Sequence, residues 1–220
     1  MLTVNEIFHS IQGESTHTGR PCVFVRLTGC DLRCVWCDTP YAFHEGRKLD
    51  VDEVVAAVEQ YRCDLVEITG GEPLLQQREL APLAATLKRR GYYCEVETNG
   101  TIVPQPDLVR DIDQWNVSPK LATSGNTEER RDQKRAMDAL SRLPNAYFKF
   151  VVTEPRDVDE VRTLRDKYGL LNQQIILMPE GTTIGNIERR SPWVSEACVK
   201  EGFRFSTRLH ILLWGDKRGR

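Results

Sequence analysis

Three cysteines lie within one eight-residue stretch, and their spacing is the clearest chemical signal in the sequence. Cys30, Cys34 and Cys37 form a C-x3-C-x2-C pattern. Three thiolates this close together repel one another unless a cation neutralises them, so the pattern indicates a metal site. A zinc ion would need a fourth ligand, which His44 could supply. An iron–sulfur cluster held by only three cysteines would instead keep one iron open for another ligand.

Several short polar segments follow predicted strands. In parallel α/β proteins the carboxyl ends of the strands meet at one edge of the sheet, where sites form. We therefore expect these segments to converge on one pocket. They are Thr69-Gly70-Gly71-Glu72, Glu97-Thr98-Asn99, Ser118-Pro119-Lys120 and Met178-Pro179-Glu180-Gly181.

Strands and helices that position these segments alternate along the chain. Hydrophobic periodicity and capping signals predict strands over 23–27, 65–69, 93–98, 114–117, 146–152, 174–178 and 207–213, and helices over 50–61, 76–90, 128–142, 157–168 and 193–201. Such alternation predicts right-handed βαβ units around a parallel sheet. Six or seven strands fall short of the eight in a full (β/α)₈ barrel. No composition break marks a linker, so we expect one domain over residues 1–220.

Composition and charge exclude several classes of protein. The 220 residues are 40% hydrophobic and 28% charged, which is a globular balance and not that of a disordered chain. A net charge of −2 argues against a mainly electrostatic nucleic-acid binder. No apolar run reaches membrane-spanning length, and the N-terminus lacks a signal-peptide pattern. We expect a cytoplasmic protein that binds neither nucleic acid nor membrane, and whose cysteines do not form a disulfide framework.

The cysteine pattern after a strand, together with Gly70-Gly71-Glu72-Pro73 after the next, resembles the radical S-adenosylmethionine (SAM) superfamily. In that superfamily the open iron of a [4Fe–4S] cluster binds the amino and carboxylate groups of SAM. The resemblance implies that Cys30, Cys34 and Cys37 hold the cluster and that the bare backbone of Gly71 admits the methionine amine. The SAM-binding residues it implies are Trp36, Cys37, Asp38, Gly71, Glu97, Asn99, Ser118, Pro119, Lys120, Met178, Pro179, Glu180 and Gly181.

Other segments narrow the resemblance to the 7-carboxy-7-deazaguanine synthase family. They are Ser10-Ile11-Gln12-Gly13-Glu14, Arg26, Thr28-Gly29-Cys30, Cys37-Asp38-Thr39 and the tail from His210 to Gly215. The resemblance implies a compact, incomplete (β/α) barrel. It implies the rearrangement of 6-carboxy-5,6,7,8-tetrahydropterin to 7-carboxy-7-deazaguanine with loss of ammonia, in the biosynthesis of queuosine and other deazapurines. An electron donor such as a flavodoxin or ferredoxin and a homodimer are also expected.

The residues that the resemblance assigns to the pterin suit its chemistry. They are Gln12, Gly13, Glu14, Arg26, Thr69, His210 and Arg220. A carboxylate at Glu14 can accept from the donor edge of a pterin. The guanidinium of Arg26 suits a carboxylate, either that of the substrate or that of Glu14. The radical chemistry is left to the cofactor, so no residue is assigned as an acid or base.

Alternative interpretations remain open for parts of this assignment. Gln12 and Glu14 could be ordinary surface residues. The resemblance implies that the hydroxyl of Thr39 binds a Mg²⁺ ion shared with the substrate carboxylate. The less favoured alternative is that Thr39 is a helix-capping or turn residue. Ser15 departs from the family pattern, in which glycine follows Gln-Gly-Glu. For the whole chain, the alternatives are another small radical SAM enzyme, such as a glycyl-radical activase, and a zinc-dependent binding module.

Overall fold

A computed structural model describes residues 1–220, and its nine strands form one sheet. The strands are Leu2–Ile11 (β1), Pro21–Leu27 (β2), Arg47–Leu49 (β3), Leu65–Gly70 (β4), Tyr93–Thr98 (β5), Gln114–Val117 (β6), Ala146–Val152 (β7), Ile175–Pro179 (β8) and Arg204–Phe205 (β9). Their order in the sheet is β3-β1-β2-β4-β5-β6-β7-β8-β9. From β2 to β9 every neighbouring pair is parallel, whereas β1 runs antiparallel to β2 and β3. The edge strands β3 and β9 do not pair, so the sheet stays open, and the predicted incomplete α/β barrel is confirmed.

Helices connect the parallel strands. The α-helices are Val51–Val58 (α1), Gln77–Arg89 (α2), Pro106–Asp111 (α3), Glu128–Arg131 (α4), Lys134–Leu140 (α5), Asp157–Tyr168 (α6), Ile184–Glu201 (α7) and Leu209–Trp214 (α8). The predicted capping box of α1 is confirmed, since the side chain of Asp50 accepts from the backbone of Glu53 and the side chain of Glu53 accepts from that of Asp50. No helix of the chain has the length and apolar character needed to cross a membrane.

The two faces of the sheet have different chemistry because side chains alternate along each strand. On β5 and β6, Val96 and Trp115 belong to the main hydrophobic core, which the helices cover. The intervening positions carry polar groups such as Glu95, Glu97 and Asn116, and all but Glu97 are buried. The inner face of the open barrel is therefore polar, and it can bind a polar ligand.

The structure differs from the sequence prediction in several elements, most of them near the two ends of the chain. The sequence patterns do not predict β1, β3, α3 or β9, so the strand over 23–27 is the second strand and not the first. Residues 207–213 were predicted as a strand, but Leu209–Trp214 is a helix that ends at Gly215. The helix predicted over 193–201 begins earlier, at Ile184, and that over 128–142 is split at Asp132 into two short helices.

Candidate active site

One cavity of about 630 Å³ opens at the carboxyl ends of the parallel strands. It contains most of the residues that the sequence analysis singled out. The predicted residues that line it are Gln12, Gly13, Glu14, Arg26, Cys30, Cys34, Trp36, Cys37, Asp38, Thr39, Thr69, Gly71, Glu97, Asn99, Ser118, Lys120, Met178, Glu180, His210 and Arg220. Pro119, Pro179 and Gly181 do not line it, although the carbonyl of Gly181 accepts a hydrogen bond of 2.8 Å from Arg208, which does.

The three cysteines lie on the loop that follows β2, and their thiols face this cavity. The backbone N–H of Leu32 lies 3.4 Å from the sulfur of Cys30, and the amide nitrogen of Asn126 lies 3.4 Å from that of Cys34. Such donors stabilise sulfur that carries negative charge. Burial raises the pKa of Cys30 to about 11, so a metal would have to displace its proton.

The cysteine loop packs directly against the glycine-rich segment after β4. A Cβ added to Gly71 would collide with the carbonyl oxygen of Gly29 and lie 2.7 Å from the Cβ of Cys30. Only glycine therefore allows the two loops to approach this closely. The next residue, Glu72, is fully buried and accepts hydrogen bonds from the backbone of Leu74 (2.9 Å) and Asn99 (2.6 Å). These bonds fix the glycine-rich segment to the end of β5.

The thiols fit a multi-iron cluster better than a single zinc ion. His44, the fourth ligand of the zinc alternative, is exposed and does not line the cavity. No three His, Cys, Asp or Glu side chains of the chain converge as the ligands of one metal ion would. Cys30, Cys34 and Cys37 all line the cavity and would hold a cluster there, which would leave any coordination position that they do not fill to another ligand.

Glu14 is held in the cavity wall by two buried cations that the sequence analysis missed. Its carboxylate forms ion pairs with Lys149, whose side chain is 2% exposed, and with Arg208, whose Nε lies 3.0 Å away. Lys149 also contacts Glu97 at 2.7 Å, and Arg208 also pairs with Asp38. Burial by itself would raise the pKa of Glu14, but the charges of Lys149 and Arg208 hold it well below its ordinary value. Glu14 is therefore an ionised acceptor and not a surface residue.

Arg26 has a different partner from the one considered in the sequence analysis. Its Nε donates to Glu6 at 2.8 Å, and its guanidinium lies 5.8 Å from the ring of Phe8. It does not contact Glu14, so the suggestion that Arg26 holds Glu14 in place is wrong. No further hydrogen bond engages the guanidinium of Arg26. Its terminal nitrogens can therefore bind a carboxylate in the cavity.

Gln12 connects Glu14 to a buried polar cluster beneath the cavity. Its side-chain oxygen accepts from the backbone N–H of Glu14 at 3.2 Å, and its amide nitrogen donates to Glu67 at 3.0 Å. Burial and the adjacent charge of Glu95 raise the pKa of Glu67 well above its ordinary value. Glu67 is therefore the carboxyl group of this pair that holds a proton, and Glu95 contacts the imidazole of His17. Gln12 is buried by this cluster and is not an ordinary surface residue.

The segment around Gly13 packs against the C-terminal helix α8. A Cβ on Gly13 would overlap the imidazole of His210, and the backbone of Leu209 donates to the carbonyl of Gly13 at 2.9 Å. Burial lowers the pKa of His210, so its ring is neutral at pH 7. Beyond α8, residues 216–220 line the mouth of the cavity, and Arg220 is among them.

Thr39 precedes the short 3₁₀-helix Pro40–Phe43, but its hydroxyl does not cap it. The oxygen lies 3.9 Å from the sulfur of Cys37 and lines the cavity. Thr39 therefore occupies the N-cap position but does not cap the helix through its side chain, and its carbonyl accepts from the backbone of Ala42 at 2.9 Å, as a turn residue would. Its hydroxyl is available to a ligand in the cavity.

Lys149 and Arg208 are the main residues that sequence reasoning missed. Lys149 interrupts the apolar strand β7, and a charge at such a position must be paired when it is buried. That signal was present in the sequence. Arg208 gave no such signal, because the residues around it were predicted to form a strand.

Comparison with known proteins agrees with this site. Residues 24–155 match the model of the radical SAM superfamily. The 7-carboxy-7-deazaguanine synthase of Pyrobaculum aerophilum is 41% identical over 100% of this chain and 97% of its own length. That of Halobacterium salinarum is 37% identical over 98% of this chain and 91% of its own length. The crystal structure of QueE from Escherichia coli superposes with a TM-score of 0.73 at 26% identity, over 95% of this chain and 94% of QueE.

The two relatives and the QueE structure match 95% or more of this chain, and these matches do not favour the glycyl-radical activase alternative or the zinc-binding module. Membership of the radical SAM superfamily implies a [4Fe–4S] cluster and SAM, and the cysteine loop and the Gly71 contact suit both. The chain belongs to the radical SAM superfamily and, within it, to the 7-carboxy-7-deazaguanine synthase family.

Proposed function

We propose that this protein converts 6-carboxy-5,6,7,8-tetrahydropterin to 7-carboxy-7-deazaguanine with loss of ammonia, in queuosine and deazapurine biosynthesis. One observation supports this substrate above all. The cavity that holds Cys30, Cys34 and Cys37 also holds an ionised acceptor, Glu14, and a guanidinium with free donors, Arg26. A carboxypterin has one group for each, a donor edge and a carboxylate.

The cysteine loop would hold the cluster through Cys30, Cys34 and Cys37. When bound, the cluster and SAM would supply the radical chemistry that the rearrangement at C6 of the pterin requires. SAM would lie along the strand ends, between Trp36–Asp38 on one side and Ser118–Lys120 and Met178–Gly181 on the other, near Gly71, Glu97 and Asn99. The ammonium of Lys120 lies 2.8 Å from the hydroxyl of Ser118 and 5.9 Å from the ring centre of Trp36, so the two sides approach each other at Lys120.

The pterin would lie on the side of Glu14, with Gln12, Gly13, Thr69, His210 and Arg220 around it. Glu14 would accept from its donor edge, and Arg26 would bind its carboxylate. We infer that the hydroxyl of Thr39 joins a Mg²⁺ ion at that carboxylate, since Mg²⁺ prefers oxygen ligands and commonly takes only one or two from the protein. Fixing the pterin at both ends would hold C6 in one orientation toward the SAM site, and such positioning of reacting groups lowers the activation barrier.

We further infer that residues 1–220 are one radical SAM core domain with short N- and C-terminal substrate-binding extensions. A cytoplasmic homodimer that receives electrons from a flavodoxin or ferredoxin would suit this function. These proposals extend the family assignment, and size-exclusion chromatography and reconstitution with each donor would test them.

Turnover under anaerobic conditions tests the proposed reaction. The cluster is reconstituted, and SAM, a reductant and 6-carboxy-5,6,7,8-tetrahydropterin are added. We expect 7-carboxy-7-deazaguanine and ammonia in equal amounts, with SAM regenerated and not consumed. The same assay can be run on Glu14→Gln, which changes the proposed acceptor. Its matched control is Glu59→Gln, because Glu59 is an exposed residue that does not line the cavity. Cleavage of SAM to 5′-deoxyadenosine without conversion of the pterin would refute the substrate and leave the superfamily assignment intact.

A further inference from the structure

Glu6 lies on β1 and contacts three residues that line the cavity, Arg26, Tyr41 and Arg218. The pairing of β1 with β2 shifts register between Val4 and Glu6, and this bulge places Glu6 directly opposite Arg26. A bulge commonly re-aims a side chain in this way. The carboxylate of Glu6 is only 15% exposed and points to the same side of the sheet as Arg26.

The two oxygens of Glu6 have different partners. One accepts from Nε of Arg26 at 2.8 Å and from the hydroxyl of Tyr41 at 3.2 Å. The other accepts from Nε of Arg218 at 2.9 Å. One carboxylate therefore bridges a guanidinium in the cavity and a guanidinium in the tail.

Arg218 is the anchor of the tail. Its terminal nitrogens donate to Glu45 at 3.0 Å and to the side-chain oxygen of Asn5 at 3.1 Å, and its guanidinium lies 4.0 Å from the ring centre of Tyr41. No other residue of the segment 216–220 forms an ion pair. Since this segment lines the cavity mouth, the contacts of Arg218 hold it there.

We propose that Glu6 is a positioning residue that couples two events at the substrate site. It docks the C-terminal tail over the cavity through Arg218, and it fixes the guanidinium of Arg26 for a ligand carboxylate. The second event rests on the proposed function, whereas the docking of the tail does not.

The bridge needs both oxygens of a carboxylate. In Glu6→Gln one oxygen becomes an NH₂ donor, which faces a guanidinium and cannot accept from it. Arg218→Gln removes the tail's side of the bridge. Because Arg218 and Arg26 hold the two oxygens of the same carboxylate, loss of Arg218 also leaves Glu6 less firmly oriented toward Arg26, so both variants affect both events.

Tail docking is measured by the rate at which carboxypeptidase B releases Arg220 from the full-length protein, followed by mass spectrometry. We expect roughly tenfold faster release in Glu6→Gln and Arg218→Gln, because a charge-assisted hydrogen bond is worth about a factor of ten or more. Arg189→Gln on α7 is the matched control. Release at the wild-type rate in both variants would overturn the docking role.

The orientation of Arg26 is measured with the reconstituted enzyme and SAM, as the ratio of the dissociation constants of pterin and 6-carboxypterin. Both are stable to turnover and differ only in the carboxylate. Arg26→Gln defines complete loss of the carboxylate preference. In Glu6→Gln and Arg218→Gln we expect the ratio of the two dissociation constants to fall roughly tenfold relative to wild type. The cluster absorption should stay unchanged.

Two further outcomes separate the proposals. Faster release of Arg220 with full carboxylate preference would overturn the coupling. A wild-type enzyme without carboxylate preference would refute the proposed pterin site, and the release rates would still decide whether Glu6 docks the tail.

Discussion

Glu14→Gln should be the most informative single change in the cavity, because Glu14 is both a predicted ligand-binding group and the centre of a buried charge network. Its two oxygens accept from Arg208 and Lys149. In glutamine one of them becomes an NH₂ group, so a donor must face one of the two cations whichever way the amide turns. Removing one partner of a buried pair costs about 3–5 kcal/mol. Lys149 keeps Glu97 and Arg208 keeps Asp38, so we expect about 3 kcal/mol, the lower end.

The loss of stability caused by Glu14→Gln should depend on pH, and the pKa of Glu14 determines the direction of that dependence. The pKa of Glu14 is lowered in the folded protein, so the unfolded chain binds its proton more readily. The contribution of the carboxylate is therefore fully present above its ordinary pKa of about 4.3 and is lost as the pH falls below that value toward the folded pKa. The difference in stability between wild type and Glu14→Gln should be constant from pH 7 to about pH 5 and should shrink at pH 4 and below.

Urea denaturation at pH 7, 5 and 4, with m-values checked for equality, measures this difference. Glu59→Gln is the control, because the Glu59–Arg90 pair is 40% and 48% exposed and such a pair contributes about 0–1 kcal/mol. Binding of 6-carboxypterin should weaken by about ten- to a hundredfold, since a mispaired group costs about 1–3 kcal/mol, while cluster and SAM binding persist. A stability loss no greater than that of Glu59→Gln would refute the network argument. An unchanged affinity would remove Glu14 from the ligand site.

Three further changes test separate parts of the site. Cys34→Ala should abolish the visible absorption of the cluster and the formation of 5′-deoxyadenosine, whereas Cys63→Ala should keep both; a normal spectrum in Cys34→Ala would exclude the iron–sulfur assignment. Thr39→Ala should slow turnover by up to about a hundredfold through misplacement of the pterin and weaken the response to added Mg²⁺; equal rates for metal-stripped and Mg²⁺-supplied wild type would disprove the magnesium site. Ser15 has a left-handed φ of 62°, and its hydroxyl donates to Asn116 at 2.7 Å. Ser15→Gly loses this bond but relieves about 1 kcal/mol of strain, so it should be about 1 kcal/mol more stable than Ser15→Ala in urea denaturation, and equal stability would contradict the strain.

The central part of the fold was accessible from the sequence because its strands are short apolar runs separated by amphipathic helices. The strands over 93–98, 114–117 and 146–152 and the helix over 157–168 agree with the structure to the residue. β1 was missed because its bulge between Val4 and Glu6 interrupts the alternation that a strand prediction needs. The segment Ile211–Leu213 misled the prediction because a short apolar run fits a strand and a helix equally well.

Some residues of the candidate site could be predicted from local sequence patterns, whereas others depend on contacts between residues far apart in the sequence. The cysteine triplet and the Gly70–Pro73 segment are recognisable because their chemistry depends on neighbours in the sequence. The charge network depends on strand order instead. Lys149 meets Glu14 across 135 positions of sequence and Arg208 meets Glu14 across 194, and nothing near either residue indicates its partner.

A charged residue inside an apolar strand nevertheless carries structural information, because the fold must place groups of opposite charge next to it. Lys149 is 2% exposed, and a buried ammonium requires carboxylates close to it. The inner face of the barrel provides two, Glu97 from β5 and Glu14 from the loop after β1, and both line the cavity. Arg26 on β2 is oriented by Glu6 in the same way, so Lys149, Arg208 and Arg26 are each oriented by an acid from a separate strand or loop. The cavity therefore presents fixed charges to its ligand before the ligand binds, which is the preorganisation that positioning a pterin for hydrogen abstraction requires.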